Sequence, residues 1–120
     1  MAKVSAKAKV LYGEGDTHAL TAHTAVMEKA GYSVKTVAGR RAVEEAVRQG
    51  SYDVVVLGHT LTRDDRHHLP YMAKKANSST RVLVIHASGK HPEVDAAIDS
   101  RDGDRVLLEA LAGLLEPAYA

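Results

Sequence analysis

Apolar residues along the chain follow two kinds of pattern, short continuous runs and helical spacing. The continuous runs "AKVLY" (8–12), "DVVVL" (53–57) and "RVLVI" (81–85) predict strands that are buried on both faces, as in the centre of a parallel sheet. The segment "YSVKTV" (32–37) alternates apolar and polar residues, which is typical of a strand with one covered face. A fifth strand-like segment is "VDAAID" (94–99).

Stretches with helical spacing separate these strands. Asp16 is a suitable N-cap for the first helix, after "GEG" (13–15) breaks the first strand. Gly31 and Gly50 end the first and second helices, and Pro70 is expected in the first turns of the third, where its missing N–H costs least. The predicted helices span residues 17–30, 39–50, 65–76 and 102–115.

The alternation of strands and helices predicts an α/β fold with a parallel sheet covered on both faces. A chain of 120 residues suits one domain, and we expect residues 1–7 to form a frayed lead-in. The residues expected in the core of the sheet are Val10, Leu11, Val54, Val56, Val82 and Val84.

Composition narrows the classes of function. The chain has no cysteine, which excludes disulfides, thiolate chemistry and cysteine-ligated zinc. A net charge of +1 gives no reason to expect direct nucleic-acid or membrane binding. No apolar run approaches the roughly 20 residues of a membrane span, and the first residues lack the long apolar segment of a signal peptide. We therefore expect a cytoplasmic protein.

The run "GYSVKTVAGRRAVEEAVRQGSYDVVVLG" (31–58) resembles the receiver domain of bacterial response regulators. The resemblance extends over nearly the whole chain, so that residues 1–120 are expected to form a single receiver-like domain. It implies a flavodoxin-like doubly wound parallel sheet of order 2-1-3-4-5, with the working site at the carboxyl ends of strands one, three and four. In receivers an acidic pair after strand one holds Mg²⁺, and an Asp ending strand three accepts a phosphoryl group. A Ser or Thr ending strand four and a Lys after strand five then respond to the phosphate.

The chain departs from this pattern at the positions that carry receiver chemistry. The residue at the acceptor position is a glycine, which offers no nucleophile. The acidic pair is reduced to a single carboxylate, which is a poor Mg²⁺ site. We therefore expect no catalytic residue, no bound metal or cofactor, and no enzymatic activity. The degenerate phospho-site positions are Glu14, Gly15 and Asp16 after strand one, Gly58 after strand three, His86 after strand four and Arg101 after strand five.

The connection between the fourth and fifth strands is a second departure. Only "ASGKHPE" (87–93) separates His86 from the fifth strand-like segment, which is too short for a normal crossover helix. Helix four of the receiver pattern is therefore predicted to be shortened or missing, with at most about one helical turn in this segment.

These observations leave several functions open. The first is a phosphorylation-independent pseudo-receiver that signals by contact with an unidentified signalling protein, with a homodimer as a further option. The alternative is a small-ligand or metal-binding sensor that uses the vacated pocket near Glu14, Gly58 and His86. A metal there would also take His59 as a ligand, although strand alternation directs His59 away from the pocket. A third option is an active domain whose acceptor has moved into "RDDRHH" (63–68), where a capping turn is the simpler interpretation.

The pocket itself carries one geometric expectation. His86 replaces a small hydroxyl residue with a ring that could fill the space left empty at Gly58, and Glu14 is the acid expected to remain there. We expect His86 to reach toward Glu14, because a histidine and a carboxylate at short range favour each other's charged forms. Such a pair would lock one conformation of the domain.

Overall fold

The computed structural model describes residues 8–85, 94–99 and 101–115. Its strands are β1 (Lys9–Glu14), β2 (Ser33–Ala38), β3 (Val54–Leu57), β4 (Arg81–Ile85) and β5 (Ala96–Ile98). Its helices are α1 (Thr17–Lys29), α2 (Arg40–Gln49), α3 (Arg63–Ala76) and α4 (Asp104–Leu115). The strands form one parallel sheet in the order β2-β1-β3-β4-β5, so the predicted flavodoxin-like order is confirmed. No helix in these ranges is long and apolar enough to cross a membrane.

The core lies in two layers, one on each face of the sheet. On one face, side chains of α2 and α3 pack over the strands; on the other, Met27 of α1 and the α4 residues Leu107 and Leu111 do the same. The central strands are covered on both faces, which explains why their sequences are continuous apolar runs. All of the predicted core residues are buried, namely Val10, Leu11, Val54, Val56, Val82 and Val84.

β1 is longer than the sequence pattern predicts. Gly13 and Glu14 continue the strand, because Gly13 lies in register between Val37 of β2 and Leu57 of β3. A Cβ atom on Gly13 would lie 2.5 Å from Cγ2 of Val43, so glycine lets α2 pack closely on the sheet. The prediction that "GEG" breaks the strand was therefore wrong, because pairing on both sides outweighs the low strand propensity of glycine.

α3 also begins earlier than predicted. The side chain of Thr62 caps it by accepting the backbone N–H of Asp65 at 3.1 Å. Pro70 consequently lies in the middle of the helix and is buried there, which corrects its expected place in the first turns. Ala76 is exposed at the end of the helix.

The connection from β4 to β5 is short, as predicted. β4 ends at Ile85 and β5 begins at Ala96, which leaves a crossover shorter than the 14 residues of α3 alone. Residues 86–93, for which at most one helical turn is predicted, lie outside the described residues. Parallel pairing of β5 with β4 confirms that the strand-like segment 94–99 contains a strand.

Asp95 fixes the short edge strand β5 to the rest of the sheet. Its Oδ2 atom accepts the backbone N–H of Val82 at 2.8 Å and the Nζ of Lys74 at 2.7 Å. Lys74 also donates to the carbonyl of Thr80 at 2.6 Å, and the backbone N–H of Asp95 donates to Val82 at 2.9 Å. One carboxylate therefore joins β5, β4 and α3.

We expect Asp95→Ala to lower the free energy of unfolding by about 2 kcal/mol, because the half-buried ammonium of Lys74 and the N–H of Val82 lose a charged acceptor. Hydrogen exchange should accelerate first in β5 and α4. The matched control is Glu109→Ala, which removes an exposed i,i+4 partner of Arg105 on α4 and should cost at most about 0.5 kcal/mol. Equal losses in urea melts of the two variants would contradict this role of Asp95.

Candidate functional site

Glu14 and Gly58 meet at the carboxyl edge of the sheet. Glu14 is the last residue of β1 and Gly58 follows β3, its neighbour in the sheet. Gly13 pairs with Leu57, and the backbone N–H of Gly58 donates to the carbonyl of Gly13 at 2.8 Å. This register brings together two of the positions that the sequence singled out.

The Glu14 side chain fills the space beside Gly58. Glu14 has no solvent exposure, and Gly58 is buried as well. A Cβ atom on Gly58 would overlap the carboxyl carbon and both carboxyl oxygens of Glu14, well inside the 3.0 Å limit of real Cβ contacts. The carboxylate of Glu14 therefore lies where a side chain of residue 58 would begin, and glycine is the residue that leaves room for it.

Tyr12, Glu14 and Thr60 form a hydrogen-bonded group that we call the carboxylate cluster. The hydroxyl of Tyr12 donates to Oε2 of Glu14. Oε1 of Glu14 accepts the backbone N–H of Thr60 at 3.0 Å and the Thr60 hydroxyl at 2.6 Å. Hydrogen bonds to an ionised acceptor are stronger than neutral ones, and a buried carboxylate needs such partners to offset its lost hydration.

The Tyr12 hydroxyl can act only as a donor or neutral acceptor in this cluster. Burial, the hydrogen bond to Glu14 and the negative charge of Glu14 together raise the pKa of Tyr12 far above its usual range. The phenol therefore keeps its proton at any physiological pH. Its ring also packs edge-on against His23 of α1, with 5.9 Å between ring centroids, so the cluster is continuous with the α1 layer of the core.

Thr60 joins the loop after β1 to the loop after β3. Its hydroxyl oxygen accepts the backbone N–H groups of Gly15 at 2.8 Å and Asp16 at 3.0 Å while it donates to Glu14. The two loops lie so close that a Cβ atom on Gly15 would overlap the carbonyl of Thr60. A side chain at position 15, where the receiver pattern has an acid, would require the loops to separate.

The remaining predicted positions do not join the cluster. The side chain of Asp16 is exposed and accepts the backbone N–H of His18 at 3.0 Å, so it caps α1 as predicted. Arg101 is 87% exposed, and its guanidinium donates to Asp99 at 3.1 and 3.2 Å, which raises the pKa of Arg101. His86 lies outside the described residues, so its expected contact with Glu14 stays a prediction.

The described residues do not fit the Mg²⁺ ion of the receiver pattern. Both oxygens of Glu14 already accept hydrogen bonds in a buried site, Asp16 caps a helix, and Gly58 has no side chain. His59, considered as a metal ligand, is exposed. Across residues 8–85, 94–99 and 101–115, no three His, Cys, Asp or Glu side chains lie close enough to share a metal ion.

The acids considered as a displaced acceptor lie in the first turn of α3. Asp64 is exposed, and Asp65 lies 3.9 Å from the guanidinium of Arg40 on α2. Negative side chains are favourable at this end of a helix, where unpaired N–H groups give a partial positive charge. Their position agrees with the capping-turn interpretation of this segment.

Sequence reasoning did not identify Tyr12 and Thr60 as functional residues. Tyr12 stood in a buried apolar run, and Thr60 in a loop without a motif. Strand alternation holds one usable signal, because Tyr12 and Glu14 are two residues apart and so lie on the same side of β1. Nothing in the sequence indicates that Thr60 would turn back onto Glu14.

The fold of the chain is similar to solved structures of response regulator receiver domains. A CheY-like receiver domain protein from Methanospirillum hungatei has a TM-score of 0.81 and 18% identity, over 93% of this chain and 96% of that one. A signal receiver domain of an HD domain-containing protein from Pseudomonas fluorescens has a TM-score of 0.82 and 16% identity, over 98% and 93%. The receiver domain of a signal transduction histidine kinase from Syntrophus aciditrophicus has a TM-score of 0.78 and 16% identity, over 93% and 92%.

The chain has the receiver fold. At identities this low, the likeness shows the fold and leaves the chemistry of the site to be argued from its own residues. No protein-family model matches the sequence, and no curated protein matches it. The resemblance found in the sequence is therefore confirmed at the level of the fold.

Gly58→Ala tests whether Glu14 fills the space of a side chain at position 58. We expect it to lower the free energy of unfolding by about 3 kcal/mol, because the added methyl group must displace the Glu14 carboxylate from its donors. In a Glu14→Ala background, the same substitution should cost less than about 1 kcal/mol. The control is Gly113→Ala on α4, where a Cβ atom meets open space and should stabilise the helix by about 0.5–1 kcal/mol. Additive losses for the two site substitutions would refute the overlap.

Thr60→Val should destabilise the protein more than Tyr12→Phe, since the Thr60 hydroxyl makes three hydrogen bonds in the cluster and the loops. We expect losses of about 2–4 and about 1–2 kcal/mol respectively, measured by urea unfolding. Thr36→Val, at an exposed position of β2, is the control and should change stability by no more than about 0.5 kcal/mol. If Thr60→Val behaves like the control, Thr60 does not hold the two loops together.

Proposed function

We propose that the domain is a pseudo-receiver, a receiver-like signalling module that acts by protein–protein contact and is not phosphorylated at the end of β3. The observation that carries the proposal is the position of the Glu14 carboxylate, which fills the space of a side chain on residue 58. A site arranged in this way offers no nucleophile at residue 58 and no room for one.

Electrostatics supports the same proposal. Phosphoryl transfer depends on neutralising the charge that spreads over the transferred group, usually by a metal ion and a cationic side chain. In the part of the chain that the structure describes, the partners of Glu14 are neutral donors, and Arg101 is turned toward Asp99. An incoming phosphoryl group would meet the negative charge of Glu14.

The carboxylate cluster also suggests how the domain signals. It ties the end of β1 to the loops that follow β1 and β3, at the edge of the sheet where the receiver pattern has its phosphorylation site. A domain held in one arrangement presents a fixed surface, so its output would depend on which partner is present. The similar receiver domain of a histidine kinase supports a signalling protein as that partner, with self-association as a second option. On this proposal the domain has no enzymatic activity.

The alternative of a small-ligand or metal sensor meets an obstacle in the same observation. The space beside Gly58 is filled by the Glu14 side chain, which has no solvent exposure, and Gly58 is buried. A ligand could bind there only after that side chain moves out.

The proposal predicts that acetyl phosphate with Mg²⁺ adds no phosphoryl group to the protein, as measured by intact mass, and that beryllofluoride with Mg²⁺ leaves its amide NMR spectrum unchanged. An active receiver domain treated in parallel is the positive control. Gly58→Asp alone should also stay unlabelled, because the new carboxylate would overlap that of Glu14 and gains no metal site.

The residue that carries a phosphoryl label, if any does, distinguishes among the remaining hypotheses for the site. Stoichiometric labelling of the wild-type protein would overturn the proposal; a label on Asp64 or Asp65 would then identify a displaced acceptor on α3, and a label on Glu14 an acceptor moved to β1. Labelling of Gly58→Asp would mean that a working phosphorylation site survives around residue 58. Gly58→Asp combined with Glu14→Ala clears the overlap, so its failure to label would point to the missing metal site and the missing cationic side chain as the cause.

A further inference from the structure

The two Thr60 donors of the carboxylate cluster are fixed in their roles, whereas the Tyr12 hydroxyl has a second acceptor in the carbonyl of Ala19 at 3.2 Å. The Thr60 hydroxyl must direct its proton to Glu14, because its oxygen already accepts the N–H groups of Gly15 and Asp16. The backbone N–H of Thr60 and the hydroxyl of Tyr12 point to the same carboxylate. Fixed donors that converge on one point in a buried site are the arrangement that binds oxyanions well.

Glu14 enters this site with its side chain only, while its backbone belongs to β1. The backbone of Glu14 is held in the sheet by pairing with Ala38, and its carbonyl accepts the N–H of Gly39 at 2.7 Å. Removing the carboxylate therefore need not move β1. The space it leaves would be open on the side of Gly58, which has no side chain to fill it.

We infer that Tyr12 and Thr60 form an oxyanion-binding site that Glu14 occupies from within the chain. Its ligand class is a small monovalent carboxylate, and the Glu14 side chain excludes external anions of this class as long as it stays in place. The inference rests on the proposed function, because it requires that the cluster holds the Glu14 carboxylate permanently and does not serve as a phosphorylation centre.

Glu14→Ala tests the inference, with sodium formate as the probe and sodium chloride at equal ionic strength as the reference. Formate at ten times its dissociation constant should raise the Tm of Glu14→Ala by about 5 °C through binding to the native state. The shift should saturate with concentration and should be accompanied by a change in the Thr60 amide resonance. The wild-type protein should show the same Tm in both salts.

Two further arms identify the site and the ligand. Glu14→Ala combined with Thr60→Val should lose the formate shift, whereas Glu14→Ala combined with Thr36→Val should keep it, since Thr36 is exposed on β2. Sodium phosphate should raise the Tm less than formate does. Phosphate is larger and more highly charged, and the described donors include no cation to balance that charge. A larger shift with phosphate would overturn the choice of ligand class.

The inference fails if Glu14→Ala responds to formate no more than the wild-type protein, or if the Thr60→Val combination responds equally. If Glu14→Ala is unfolded in chloride, formate should restore its circular dichroism, and a chain that stays unfolded in saturating formate also overturns the inference. Failure of the proposed function is distinguished from these outcomes, because it is detected as a phosphoryl mass on the wild-type protein.

Discussion

The burial of the Glu14 carboxylate is the constraint on which the rest of the site depends. Removing a carboxylate from water costs on the order of several kcal/mol unless hydrogen bonds replace its hydration. Tyr12 and Thr60 supply those bonds, and Gly58 supplies the space. Together these residues form an arrangement in which a buried acid at this strand end is tolerated.

The same arrangement bears on how the domain can change shape. A conformational switch needs two states of similar free energy, and a ligand or modification must interact differently with them. Here Thr60 bonds at once to the acid of β1 and to the loop that follows it, so moving either loop breaks several bonds together. On the proposed function, this arrangement favours a single state, and the removal of Glu14 is the change expected to release it.

The fold could be predicted from the sequence because its pattern is set by burial on both faces of the sheet. "VVVL" (54–57) and "VLVI" (82–85) are apolar throughout, and the helices that separate the strands have one apolar face each. The errors lie where pairing or capping overrides local propensity. Gly13 stays in β1 because strands lie on both of its sides, and α3 begins at Arg63 because Thr62 caps it.

The candidate site was predictable only in part. The sequence alone determined that residue 58 carries no reactive side chain and that an acid follows the first strand, since both facts are matters of residue identity and order. Only the tertiary structure decided that this acid lies in the space of the missing side chain, with Tyr12 and Thr60 as its donors. The reason is that Glu14 and Thr60 are 46 positions apart in the chain. Their approach depends on strand register and loop path, which no local pattern of apolar and polar residues specifies.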